Sequence, residues 1–144
     1  MSSKNESYEQ KFAGGGNKDS FKDCLIICKK HGKFYNVFEM DAYIISELFN
    51  YKVLDNYKCG FPDTALNKVL NKLEELKISY KIFFLDKEPI EKNFKKLNKY
   101  NYYYDLAFNN LSLKNRMDFL IEKVKDAPDD VLDKIIESIE QCLR

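Results

Sequence analysis

Gly32-Lys33-Phe34-Tyr35-Asn36-Val37-Phe38 reads as a β-strand leaving a tight turn. Glycine accepts the positive φ that such a turn demands. The residues after it are aromatic or β-branched at most positions, the composition of a half-buried strand. Leu25-Ile26-Ile27-Cys28 lies just before the turn, so the two segments pair as a β-hairpin. Strand alternation then puts Phe34, Asn36 and Phe38 on one face and Tyr35 and Val37 on the other.

Working outward, Met40 to Phe49 places Ile44, Ile45, Leu48 and Phe49 at helical spacing, with Asp41 in the first turn where a carboxylate favours the helix dipole. Lys52-Val53-Leu54 and Tyr57-Lys58-Cys59 are short strand candidates. Gly60 is expected in a second turn, ended by Phe61-Pro62-Asp63. Asp63 or Thr64 then caps a helix striped by Leu66, Val69, Leu70, Leu73 and Leu76. Ser79 to Leu85 is a strand and Asp86 to Pro89 a loop. Residues 91–110 are expected to be helical, with Lys92 to Lys99 as an amphipathic stretch whose lysine face is wet, the alternative for that run being a second nucleic-acid patch with Phe94 and Tyr100. Leu113 to Val124 and Val131 to Leu143 form two helices around the break at Ala127-Pro128-Asp129-Asp130.

Strands and helices interleave, which predicts an α/β (α+β) fold, a mixed β-sheet with packed helices, followed by a C-terminal helical hairpin. The expected organisation is a flexible polar leader at 1–18, an α/β domain at 19–90 and a helical extension at 91–144. No apolar run reaches the roughly 20 residues that span a bilayer, and residues 1–20 lack a signal-peptide core. A cytoplasmic location is expected, and four reduced thiols fit it. Cys24 and Cys28 share strand parity and should point the same way.

Charge is uneven. Residues 1–100 carry 18 lysines against 14 acids, and residues 101–144 carry 6 basic against 9 acidic residues. A mildly basic body permits contact with a phosphate backbone. Both arginines, Arg116 and Arg144, lie in the tail. The body therefore lacks the bidentate reader of guanine edges.

From Leu25 to Phe84 the order and spacing of these elements resemble the N-terminal mismatch-recognition domain of the MutS DNA repair family. The resemblance rests on Gly-x-Phe-Tyr, Phe38, Asp41-Ala42, Gly60-Phe61-Pro62, the leucine-rich helix and Ser79-Tyr80-Lys81-Ile82. It implies a domain that meets a mispair from the minor groove, with a Phe wedged beside the base and a Glu two residues later. Those positions are Phe34 and Asn36 here, so an amide replaces the carboxylate. An amide both donates and accepts, whereas a carboxylate only accepts. Lys29, Lys30 and Lys33 surround the wedge as expected phosphate contacts.

Catalysis is not expected. His31 is the single histidine, and no metal-ligand spacing, paired-carboxylate motif or GxxxxGK[ST] phosphate loop is present. No metal or cofactor is expected. The functional expectation is a non-catalytic DNA-binding protein acting on mismatched, bulged or structured DNA. The alternative is a protein-interaction module, an adaptor or inhibitor on a mobile element, with residues 112–143 docking a partner or a second copy.

Overall fold

The computed structural model describes residues 23–29 and 32–144. Its elements are β1 (Leu25–Lys29), β2 (Phe34–Phe38), α1 (Glu39–Phe49), β3 (Lys58–Pro62), a 3-10 turn (Asp63–Ala65) and α2 (Leu66–Glu75). There follow β4 (Tyr80–Phe84), β5 (Ile90–Lys92), a second 3-10 turn (Lys95–Leu97), α3 (Tyr100–Asn109), α4 (Leu113–Lys125) and α5 (Asp129–Leu143). The five strands form one mixed sheet in the order β3-β2-β1-β4-β5. Only β1 and β4 run parallel. The expected mixed sheet with helices, and the helices at the C-terminal end, are present.

The two central strands are buried on both faces: Leu25, Ile26 and Ile27 of β1, and Tyr80 to Phe83 of β4. Such strands read as near-continuous apolar runs, interrupted in β4 by Lys81, rather than as alternating ones. Tyr80 points to the face covered by α2, where its hydroxyl donates to Glu74 at 3.0 Å. Burial and that carboxylate push the Tyr80 phenol up to about 12. Val69 and Leu73 of the leucine stripe are fully buried. The opposite face carries a cluster of Cys24, Ile26, Cys28 and Phe83, with Phe38 packed against it. Cys24 and Cys28 thus share a side, as their parity predicts, and burial raises the Cys59 thiol to about 11.

The start of α1 is fixed by a buried polar node. Leu25 donates its N–H to Ser79 O across the parallel pair, so the next amide, Ile26, points toward β2. There it donates to Asp41 Oδ2 at 2.9 Å. Tyr100 of α3 donates its hydroxyl to Asp41 Oδ1 at 2.6 Å. Asp41, fully buried, therefore joins β1, α1 and α3. Burial, and then the Asp41 charge, hold the Tyr100 phenol well above its ordinary range.

Four local expectations need correction. Gly60 lies in the middle of β3, opposite Asn36, and not in a turn. Lys52-Val53-Leu54 forms no strand: Leu54 donates to Lys58 O and accepts from Tyr57 N–H, closing one turn onto β3. Asp63 and Thr64 do not cap α2, which is entered from the 3-10 turn with no side-chain cap. Of the helix expected at 91–110, Tyr100–Asn109 forms and residues 92–99 do not. Ile90–Lys92 pairs with β4, where Lys81 and Glu91 are cross-strand partners 3.9 Å apart. Beyond it, Asn93 Oδ1 accepts from Lys95 N–H, and Asn98 Oδ1 accepts from Ser79 and Tyr100 N–H. Such side-chain bonds to backbone compete directly with helix formation.

The chain divides into two compact units, one ending at Asn110 and one comprising Leu111–Arg144. In the second, Ser112 Oγ accepts from Asn115 N–H at 3.1 Å and caps α4. Pro128 occupies the N-cap position of α5 without a side-chain cap, and Asp129 and Asp130 stand in its first turn. No helix among the described residues is long and apolar enough to cross a membrane.

Candidate nucleic-acid interface

The site is built at the first residues of β2. Gly32 adopts φ +74° and turns the chain into the strand. Tyr35 and Val37 point into the core, 5% and 0% exposed, which forces Phe34 outward, 56% exposed. Along that outward face the side chains sink progressively. Asn36 is half-buried, and Phe38 belongs to the cluster beneath.

β3 supplies the other half of the face. Pro62 lies opposite Phe34, Gly60 opposite Asn36 and Lys58 opposite Phe38. Gly60 is there for space. A Cβ at that position would lie 3.2 Å from Asn36 Oδ1 and 3.6 Å from Tyr35 O. The Asn36 amide has no hydrogen-bond partner among the described residues, so its donors and acceptor are available to a ligand.

β3 is an edge strand. Asp63 donates to Lys33 O on the β2 side, and Lys58 O accepts from Leu54 on the outer side. By alternation the Gly60 N–H and C=O point off the sheet. Pro62 has no N–H to offer, a common way to blunt an open edge. Between this edge and residues 50–54 lies an open cleft of about 670 Å³ that includes Phe34, Asn36, Asn50, Tyr51, Lys52 and Lys58. Tyr51 is held there by near-parallel rings, Phe49 at 5.5 Å and Phe61 at 6.3 Å, and Phe61 stacks in turn on Tyr35 at 5.7 Å.

The structure brings together some of the sequence-predicted site residues. Phe34, Asn36 and Lys33 lie at one end of β2, and Lys33 is exposed. Lys29 lies on the opposite face. Its Nζ sits 4.9 Å from the Tyr35 ring centroid and 3.8 Å from Asp63 Oδ2. Lys30 and His31 fall outside the described residues. Sequence reasoning missed Lys52 and Lys58. Lys58 was recoverable from strand parity once β3 was aligned on β2, whereas Lys52 comes from the loop and had no local signal. The lining of the cleft holds two lysines and no carboxylate. Among the described residues no group of three or more His, Cys, Asp or Glu is placed to hold a metal ion.

The family model for MutS domain I matches residues 16–105. No curated protein matches the chain.

Proposed function

The chain belongs to the MutS domain I family, and we propose that it binds duplex DNA at mispaired, bulged or otherwise irregular steps, without catalysing a reaction. Phe34 is the wedge, Asn36 the polar probe, and Lys33, Lys52 and Lys58 the phosphate contacts. The observation that carries this reading is the outward Phe34 ring at the lip of a cationic cleft. What supports the reading is the combination: an exposed ring, a side-chain amide without a hydrogen-bond partner among the described residues and two lysines on one cleft. Inserted apolar wedges part base steps and kink the duplex. Parting costs least where pairing is already lost, so selectivity arises without reading base edges.

Asn36 changes the chemistry of the probe. An ionised carboxylate would accept a proton-bearing base edge and repel nearby phosphates. The neutral amide both donates and accepts and does not repel phosphate, which favours broad recognition of unpaired bases over one class of mispair.

Phe34→Ala tests the reading. Stacking on an aromatic is worth about 1–3 kcal/mol per base, or roughly 5- to 150-fold in affinity. Fluorescence anisotropy with an end-labelled duplex carrying one bulged nucleotide should show a loss in that range. Unchanged affinity would remove the wedge. A second reading, docking of a protein or a second copy through 112–143, is favoured by α5. None of its residues is buried, and Ile136, Ile139 and Leu143 are exposed. Absence of DNA binding even at low salt, together with self-association in sedimentation, would favour it instead.

A further inference from the structure

The cleft beside Phe34 has more chemistry than a wedge uses. Its volume of about 670 Å³ is that of a small-ligand site. Two side-chain amides, Asn36 and Asn50, line it with no hydrogen-bond partner among the described residues. The Gly60 amide points out along its edge. Tyr51 lies beside it, its ring packed with Phe49 and Phe61 and with Lys68 Nζ 5.8 Å from its centroid. Lys52 and Lys58 supply positive charge, with no carboxylate among the lining residues to neutralise it. A donor–acceptor edge and an adjacent anion are two parts of a nucleotide, and the paired amides and the lysines are their counterparts here.

We propose that this cleft seats one nucleobase swung out of the duplex at the step Phe34 opens, its edge met by Asn36 and Asn50 and its flanking phosphate by Lys52 and Lys58. The inference rests on the DNA-binding reading above and adds to it the seat of the extruded base. Extruding a base costs least when it has no partner. Emptying the stack gives the Phe34 ring the space it must fill. A peptide strand is a poorer fit, because Pro62 leaves Gly60 as the outward N–H donor of that stretch and β-augmentation needs a row of them.

The experiment uses the full chain and a duplex whose single bulged nucleotide is 5-iodo-2′-deoxyuridine, which crosslinks to nearby aromatic rings under ultraviolet light. Mass spectrometry should map the crosslink to Tyr51. Asn50 sits at φ 59°, a conformation glycine adopts without strain, so Asn50→Gly should fold. It should narrow the preference for bulged over fully paired duplex by about tenfold, the value of one well-made hydrogen bond set. A crosslink to Phe34 alone, with the preference intact in Asn50→Gly, would overturn the seated base while leaving the wedge standing. Failure to bind the bulged duplex at all would overturn the wedge reading and this one with it. Thymidine monophosphate should compete only in large excess. Equal potency would make the cleft a site for free nucleotides and overturn the duplex as its source.

Discussion

Replacing Tyr100 by Phe isolates the node that fixes α1 behind the candidate interface. The substitution keeps the ring, its packing and its contact with Tyr104 at 6.0 Å. It removes one atom, the hydroxyl that donates to Asp41 Oδ1 at 2.6 Å. A hydrogen bond to a charged group contributes about 1.5–3 kcal/mol. Asp41 is fully buried, so water does not replace the lost donor, and the upper part of that range, about 2–3 kcal/mol, is expected. Urea unfolding at neutral pH should show the midpoint lowered by roughly 1 M or more at an unchanged slope, given slopes of about 1–3 kcal/mol per M.

The pH dependence gives a second readout. Tyr100 has a folded-state pKa raised above its unfolded value, chiefly by burial. Its contribution to stability is therefore complete below about pH 10 and falls as pH rises toward the folded value, by about 1.4 kcal/mol per pH unit. Tyr100→Phe should lose that component and show a shallower alkaline decline. Tyr80, raised to about 12, retains its own contribution and loses it between the ordinary tyrosine range and that value. A neutral-pH loss below about 0.5 kcal/mol, the level of an ordinary surface substitution, would refute the assignment of Asp41 as a structural anchor. So would an alkaline slope equal to the wild type.

Gly60→Ala should leave stability within about 1 kcal/mol, because strand entropy favours Ala while the tight contact with Asn36 opposes it. It should still weaken binding to bulged duplex, since Asn36 must move, and parallel urea and anisotropy titrations separate the two effects. Lys77 sits at φ 58° after α2, where Ile78 N–H closes back on Leu73 O. Lys77→Gly should therefore stabilise the protein by about 1 kcal/mol in thermal or urea unfolding. Lys33→Ala should lower the slope of log affinity against log salt by about 0.9, one phosphate contact. Lys29→Ala, with its amine committed to Asp63 and Tyr35 on the far face, should change that slope much less.

Elements whose pattern is local were legible in the chain itself. The β1–β2 hairpin, α1, the stripe of α2 and the apolar run of β4 each carry their own periodicity. Residues 90–99 were not legible, because their state depends on partners far away in sequence. Ile90–Lys92 is a strand because β4 offers an edge, and Asn98 stays extended because Ser79 and Tyr100 donate to it. Gly60 was misread for the same reason. A turn glycine is required by its own φ, but this one is required by Asn36 on the neighbouring strand.

The amino-acid order alone settled that Phe34, Asn36 and Phe38 share one face of β2, since alternation is a property of a single strand; that Phe34 points outward was decided by the burial of Tyr35 and Val37. Lys29, expected beside the wedge, lies instead on the other face against Tyr35 and Asp63. Tertiary structure decided what stands around Phe34 and Asn36. Lys58 joins the same face of the sheet, opposite Phe38, through strand register, Lys52, Asn50 and Tyr51 arrive by the folding of a loop onto an edge strand, and Asp41 becomes an anchor only when Tyr100 and Ile26 converge on it. Local periodicity fixes direction, whereas proximity between distant segments is set by which buried surfaces and hydrogen-bonding groups must be satisfied together.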